Sequence, residues 1–134
     1  MGFRWTANFS TRNFNSVNRD GLQTFKLPEY WEHPSDDMAK RLYEELQREL
    51  PSGHLLCDVP VEVFAWTGGG NDDVLFRHLD KPDRFTIIHL SWLGRTEINA
   101  QHPTVEFDGC FAKFLDYHKT LLAFLNNLSK TRNT

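Results

Sequence analysis

Residues 67–73, TGGGNDD, form the stretch whose composition most suggests chemistry. Three glycines, an amide and two carboxylates could cradle a phosphate, bind a metal ion or simply turn the chain. A phosphate loop runs from a strand into a helix and carries a Lys followed by Ser or Thr, whereas this stretch has no Lys and precedes a strand-like segment. An EF-hand loop needs alternating ligands and a final Glu. We therefore predict a hairpin loop whose glycines supply positive φ angles.

Asp73, the last residue of this stretch, is the first candidate for catalysis. The expected strand register places it between Trp66 and Leu90 on an apolar patch, and such surroundings raise a carboxyl pKa into a range useful for acid–base chemistry. His89 is the second candidate, expected at the same end of the sheet but on the opposite face. The competing interpretation is structural: Asp73 accepts backbone N–H bonds of the loop, and His89 is a core or rim histidine.

The histidines do not form a metal-binding motif. The sequence contains neither His-x-His nor His-Glu-x-x-His, and His78 and His89 are expected at opposite ends of adjacent strands. No nucleophile elbow surrounds a Ser, and the phenylalanines beside Cys110 favour burial of this thiol over reactivity. We therefore predict no metal site and no cofactor. The sequence does not decide whether the protein is an enzyme, but the absence of a catalytic motif argues against it.

Two helices and three strands must position these residues. Apolar residues at helical spacing predict amphipathic helices over residues 36–50 and 109–128. Segments rich in β-branched and aromatic residues, separated by turn residues, predict antiparallel strands. These strands are 61–66, 73–79 and 84–92. Residues 94–103 are expected to be a connection. The predicted fold class is α+β, an antiparallel three- to four-stranded sheet packed on one face by the two helices.

The short loops between the strands permit a prediction of register. The second loop is expected to place Phe76 opposite Ile87, and the first to place Glu62 opposite Arg77 as a cross-strand ion pair. Because side chains alternate along a strand, one sheet face is then almost wholly apolar and must be covered by the helices. That face holds Val61, Val63, Ala65, Val74, Phe76, Phe85 and Ile87.

The other sheet face is apolar at one end only. Phe64, Trp66 and Trp92 lie at that end and are the predicted binding residues. A surface half covered by the N-terminal segment would leave apolar area for a protein partner or a second copy of the chain. This face is the main reason to expect an interaction protein.

The remaining composition limits the class of partner. Residues 1–26 form a basic extension with scattered aromatic residues, a mixture that would suit a single-stranded nucleic-acid arm. A packed or loose extension is the favoured interpretation, and residues 27–134 are expected to form one domain. The net charge of -3 gives no pull toward nucleic acid or an acidic membrane. With two cysteines and no apolar h-region at the N-terminus, the chain is expected to be cytoplasmic.

Two strand motifs resemble those of a family of small uncharacterised bacterial proteins. In that family an Asp-Asp-Val-Leu-Phe strand is followed by a Val/Ile-His-Leu-Ser/Thr-Trp strand, and here these are Asp72 to Phe76 and Ile88 to Trp92. The resemblance covers about residues 28–115. It implies a bacterial protein but no activity and no catalytic residue.

Together these patterns favour a non-enzymatic binding or protein-interaction domain. The alternative is a small enzyme or ligand-binding domain that uses Asp73, His89 and Trp92 at the open end of the sheet. A concave pocket holding Asp73 with His89 or His102 would support the alternative, whereas a flat exposed patch around Phe64, Trp66 and Trp92 would support the interaction domain.

Overall fold

The computed structural model describes residues 25–68 and 72–133, and side chains only as far as residue 128. Its elements form an α+β fold around one antiparallel sheet of four strands in the order β1-β2-β3-β4. Along the chain they are α1 (Asp36–Glu49), β1 (Val61–Trp66), β2 (Asp73–His78), β3 (Phe85–His89), β4 (Thr104–Gly109) and α2 (Phe111–Asn133). The predicted fold class and antiparallel sheet are therefore confirmed.

The fourth strand lies in a stretch that the sequence pattern assigns to no element. This strand, TVEFDG, is short, and its residues are partly buried or exposed. Only Val105 and Phe107 provide the apolar alternation that would predict a strand. β4 pairs with β3 from Thr104 opposite His89 to Gly109 opposite Phe85. The last helix consequently begins at Phe111, after the strand has ended.

The register between β2 and β3 differs from the predicted one by a single residue. Phe76 pairs with Thr86, and Ile87 pairs with Leu75, so the expected pairing of Phe76 with Ile87 is wrong. Since side chains alternate across a strand, this shift moves every side chain of β3 to the other sheet face.

The turn between these strands explains the shift. Its loop is residues 79–83, because His78 donates its backbone N–H to the carbonyl of Arg84 at 2.9 Å. Two further bonds stabilise this longer loop: the Arg84 N–H donates to the Lys81 carbonyl at 2.8 Å, and the Arg77 Nε donates to the Pro82 carbonyl at 2.8 Å.

A bulge in β1 produces a second change of face. The pairing of β1 with β2 is irregular between Val63 and Ala65, so Trp66 pairs with Val74 rather than with Asp73. Before the bulge the prediction holds, because Glu62 pairs with Arg77 and their charged groups are 3.9 Å apart.

The two helices pack on opposite faces of the sheet instead of together on one. Both the bulge and the register shift distribute apolar side chains over both faces, so each face needs a cover. α1 packs against one face through Ala39, Leu42 and Leu46, next to Val63, Phe76, Ile88 and Leu90. α2 packs against the other through Phe111 and Phe114, next to Phe64, Leu75, Phe85 and Ile87.

The segment that precedes α1 completes the cover on the α2 side. Phe25 is buried with its ring 5.2 Å from that of Phe85, and Trp31 packs edge-on against Phe114 at 5.4 Å. The chain itself therefore covers the face from which a partner surface is predicted. No helix within the described part of the chain has the length and apolar character needed to cross a membrane.

Candidate functional site

Asp73 and His89 form a cross-strand pair at one end of the sheet. They occupy facing positions of β2 and β3, and His89 Nδ1 donates to Asp73 Oδ1 at 2.8 Å. Their side chains are 24% and 46% exposed. The prediction that they lie on opposite faces is wrong, because it rests on the register that the longer loop overturns.

Charge and hydrogen bonding at this pair favour protonated imidazole. The hydrogen bond that His89 donates to Asp73 raises the pKa of His89 above its ordinary value, against the opposing effect of partial burial. The charges of Asp73, Asp72 and Glu106 raise this pKa further. Because the Asp73 bond uses Nδ1, Nε2 is the ring nitrogen that does not contact that carboxylate.

Glu106 joins this pair from the third strand. β3 pairs Ile87 with Phe107 and Ile88 with Val105, which leaves Glu106 between them as the extra residue of a β-bulge. One donor atom each from Asp73, His89 and Glu106 lies within 4.8 Å of the other two. We call these three residues the strand-end cluster. Glu106 is not among the residues predicted from the sequence, because its segment is assigned to no strand there.

An open groove runs along α2 and reaches Phe107 of β4. It has a volume of about 670 Å³ and is lined by Phe107, Lys113, Asp116, Tyr117, Thr120, Leu121 and Phe124. Phe107 directly follows Glu106, and its ring centroid is 5.4 Å from that of Tyr117. Burial raises the pKa of Tyr117, and the charges of Glu106 and Asp73 raise it further. The groove and the cluster therefore meet at Phe107 and Tyr117.

The three predicted aromatic binding residues do not come together. Phe64 is buried in the α2-side core, where its ring is 5.3 Å from that of Phe85. Trp66 is half-buried against the core on the α1 side. Trp92 is 39% exposed, but its backbone N–H donates to Glu49 at the end of α1 at 2.6 Å. The exposed aromatic patch expected from the sequence is therefore not formed by these residues.

The loop that carries Trp92 is held by two buried carboxylates of α1. Glu49 accepts backbone N–H bonds from Ser91 at 2.9 Å and from Trp92 at 2.6 Å, while Glu45 accepts one from Gly94 at 3.1 Å. Trp92 and Gly94 have positive φ angles of 58° and 72°, which turn successive N–H groups toward one side. The backbone of Ser91 and Trp92 is therefore anchored to the end of α1.

His78 belongs to a separate network at the opposite end of the sheet. Its Nε2 lies 2.8 Å from Thr86 Oγ1, and the Thr86 hydroxyl donates to Asp108 at 2.7 Å. Burial lowers the pKa of His78, as does the charge of Arg84. His78 and His89 are thus apart, as predicted.

The glycine stretch connects two antiparallel strands. β1 ends at Trp66, and β2 begins at Asp73 and pairs with it in antiparallel fashion. A strand, and not a helix, follows the loop, which agrees with a hairpin and excludes a phosphate loop of the strand-to-helix type. Gly68 has a φ of 84°. Residues 69–71 lie outside the described part, as do residues 1–24 of the basic extension 1–26 that was considered for nucleic acid.

No family model, curated protein or solved structure matches this chain. The geometry of the strand-end cluster and of its groove is therefore the basis for assigning a function.

Proposed function

We propose that this protein binds a divalent transition-metal cation through Asp73, His89 and Glu106. The observation that carries the proposal is the convergence of one imidazole nitrogen and two carboxylate oxygens, from three adjacent strands, within 4.8 Å of one another. Imidazole and carboxylate are common protein ligands of such cations. Because β2, β3 and β4 are hydrogen-bonded neighbours in the sheet, the backbone positions of the three residues are fixed relative to one another.

The distances suit a site that tightens on binding. Zinc bonds to nitrogen and carboxylate oxygen are about 2.0–2.2 Å long, so neighbouring ligand atoms lie roughly 3–3.5 Å apart in a tetrahedral site. Asp73 Oδ1 and His89 Nδ1 are 2.8 Å apart, and a cation bound between them displaces the proton that they share. Since the Glu106 side chain is exposed, a rotation of that side chain can bring its carboxylate toward the other two ligands.

The ligand set narrows the choice of cation and the use of the site. Magnesium and calcium prefer all-oxygen ligands, whereas an imidazole favours zinc and its transition-metal neighbours. Three protein ligands leave a coordination position open, which is the arrangement of sites that take up a further ligand. We therefore assign to the protein a ligand-binding role at a metal, in line with the second of the two functions considered from the sequence. The interaction role has less support, because α2 and residues 25–33 cover the sheet face on which it depends.

Calorimetric titration with zinc tests this proposal. Wild type should bind one zinc ion, and His89→Ala and Glu106→Gln should each lose at least about tenfold in affinity, because each removes a direct ligand. His102→Ala is the matched control: His102 is also exposed, and its Nδ1 contacts a side-chain oxygen, that of Asn99, at 2.9 Å.

The control distinguishes zinc binding at the strand-end cluster from nonspecific zinc binding by an exposed histidine. His102→Ala should keep wild-type affinity, and circular dichroism should show that all three variants are folded. Equal affinity in wild type and His89→Ala, or an equal loss in His102→Ala, would contradict the proposal.

A further inference from the structure

We infer that the ligand of this site is a linear amphipathic carboxylate, whose carboxylate binds the cation while its apolar chain lies in the groove under α2. This inference rests on the proposed cation site and adds the class of molecule bound there. Two features carry it: the groove is lined by Phe107, which directly follows Glu106 of the strand-end cluster, and its lining is mostly aromatic and aliphatic.

The groove has the size and surface of a small-molecule site. Its volume of about 670 Å³ falls within the roughly 300–1,000 Å³ typical of such sites. Leu121 and Phe124 belong to its wall and are both partly exposed. A bound alkyl chain would remove this apolar surface from water, which is the main driving force for binding an apolar ligand.

The orientation of the ligand follows from the order of residues along the groove. Phe107 and Tyr117 mark the end beside the strand-end cluster, and Phe124 lies two turns farther along α2. Seven residues of helix span about 10 Å, so an alkyl chain of roughly eight to ten carbons matches the distance from Tyr117 to Phe124. The head group therefore belongs at the cluster and the tail at Phe124.

The charges select an anionic head group only when the cation is present. The charged residues of the groove lining, Lys113 and Asp116, offset each other. The charge of the strand-end cluster therefore determines which head group binds. Without a cation, the two carboxylates of the cluster carry more negative charge than a protonated His89 offsets, and they disfavour a carboxylate ligand through like-charge repulsion. A bound dication neutralises both and offers an open position to an oxygen ligand.

Titration with decanoate, with and without saturating zinc, tests the inference on the intact protein. Zinc should raise the affinity for decanoate at least about tenfold. Acetate should bind much more weakly than decanoate because it has no chain to fill the groove. Decyltrimethylammonium, which has the same chain and a cationic head, should gain nothing from zinc.

A pair of leucine variants tests the position of the chain. Leu121→Asp should weaken decanoate binding at least about tenfold and leave zinc affinity unchanged, because Leu121 lines the groove but is not a zinc ligand. Leu125→Asp is the matched control: Leu125 lies one turn farther along α2, is 48% exposed where Leu121 is 40%, and is not part of the groove lining. It should leave both affinities unchanged.

The possible failures are distinguishable. A protein that does not bind zinc overturns the cation site and this inference together. Zinc binding with a decanoate affinity that zinc does not change overturns this inference alone. The same holds if decanoate binding survives Leu121→Asp, or if decyltrimethylammonium shows the same gain with zinc.

Discussion

Replacing Glu49 by Gln should abolish a dependence of stability on pH that originates in α1. The Glu49 side chain is fully buried and lies beside the Glu45 carboxylate, with which it shares a hydrogen bond. Burial, together with the neighbouring Glu45, raises the pKa of Glu49 to about 7, against the opposing effect of the N–H groups of Ser91 and Trp92. The pKa of Glu45 is lowered by its bonds to Glu49, Gly94 and Arg48, against the effect of its own burial.

The sign and size of the effect follow from proton linkage. Between the ordinary glutamate pKa of 4.5 and the folded value of about 7, the folded state holds a proton that the unfolded state has released. The free energy of unfolding therefore falls as pH rises through this window and levels off above it. A shift of this size corresponds to roughly 3 kcal/mol at most, at about 1.4 kcal/mol per pH unit. Gln carries no titrating proton and removes this contribution.

Urea unfolding at pH 5 and pH 8 measures the effect. Relative to wild type, Glu49→Gln should gain about 2–3 kcal/mol in unfolding free energy between pH 5 and pH 8. Glu44→Gln removes a charge from an exposed position on the same helix and corrects for the change in net charge. A difference between Glu49→Gln and wild type that is the same at both pH values would refute the reasoning, because Glu49 would then ionise alike in both states.

Two further predictions concern the core and the site. Phe76→Ala should cost about 3–5 kcal/mol in urea unfolding, since Phe76 is fully buried between strands on the α1 side; a loss below about 1 kcal/mol would contradict this packing. Asp73→Asn should lower the pKa of His89, measured by NMR titration of its ring protons, because the hydrogen bond to Asp73 is the largest cause that raises it; an unchanged pKa would show that the pair does not form in solution.

Much of the architecture was accessible from local pattern. The bounds of β1 agree with the prediction, and those of α1 differ by one residue, because turn residues and a capping Ser35 mark their ends clearly. The ion pair of Glu62 and Arg77 also agrees. These features depend on neighbours in sequence or on the part of a hairpin that lies before any irregularity.

The face of the sheet on which His89 lies could not be predicted in the same way. It depends on whether the loop after β2 contains four or five residues, and the bonds that settle this are made by the side chain of Arg77 and the backbone of Arg84. A one-residue change in loop length inverts the face of a whole strand. For this reason Asp73 and His89 are predicted from the sequence on opposite faces of the sheet, whereas in the structure they lie on the same face and form a hydrogen bond.

Glu106, the third member of the strand-end cluster, could not be predicted from the sequence for a different reason. Glu106 reaches Asp73 and His89 because β4 has a bulge at that position, and bulges often redirect a side chain next to a site. Partly buried edge strands carry little of the alternating apolar signal on which strand prediction depends. The short strand from Thr104 to Gly109 is of this kind.

X-ray absorption spectroscopy at the zinc edge, on the one-to-one zinc complex, tests the central claim most directly. It reports the atoms bound to zinc, and the strand-end cluster predicts one imidazole with oxygen ligands, with loss of the imidazole signal in His89→Ala. The free thiols Cys57 and Cys110 are the natural competitors for zinc in this chain. Sulfur among the ligands, or an imidazole signal that persists in His89→Ala, would contradict the assignment of the site to Asp73, His89 and Glu106.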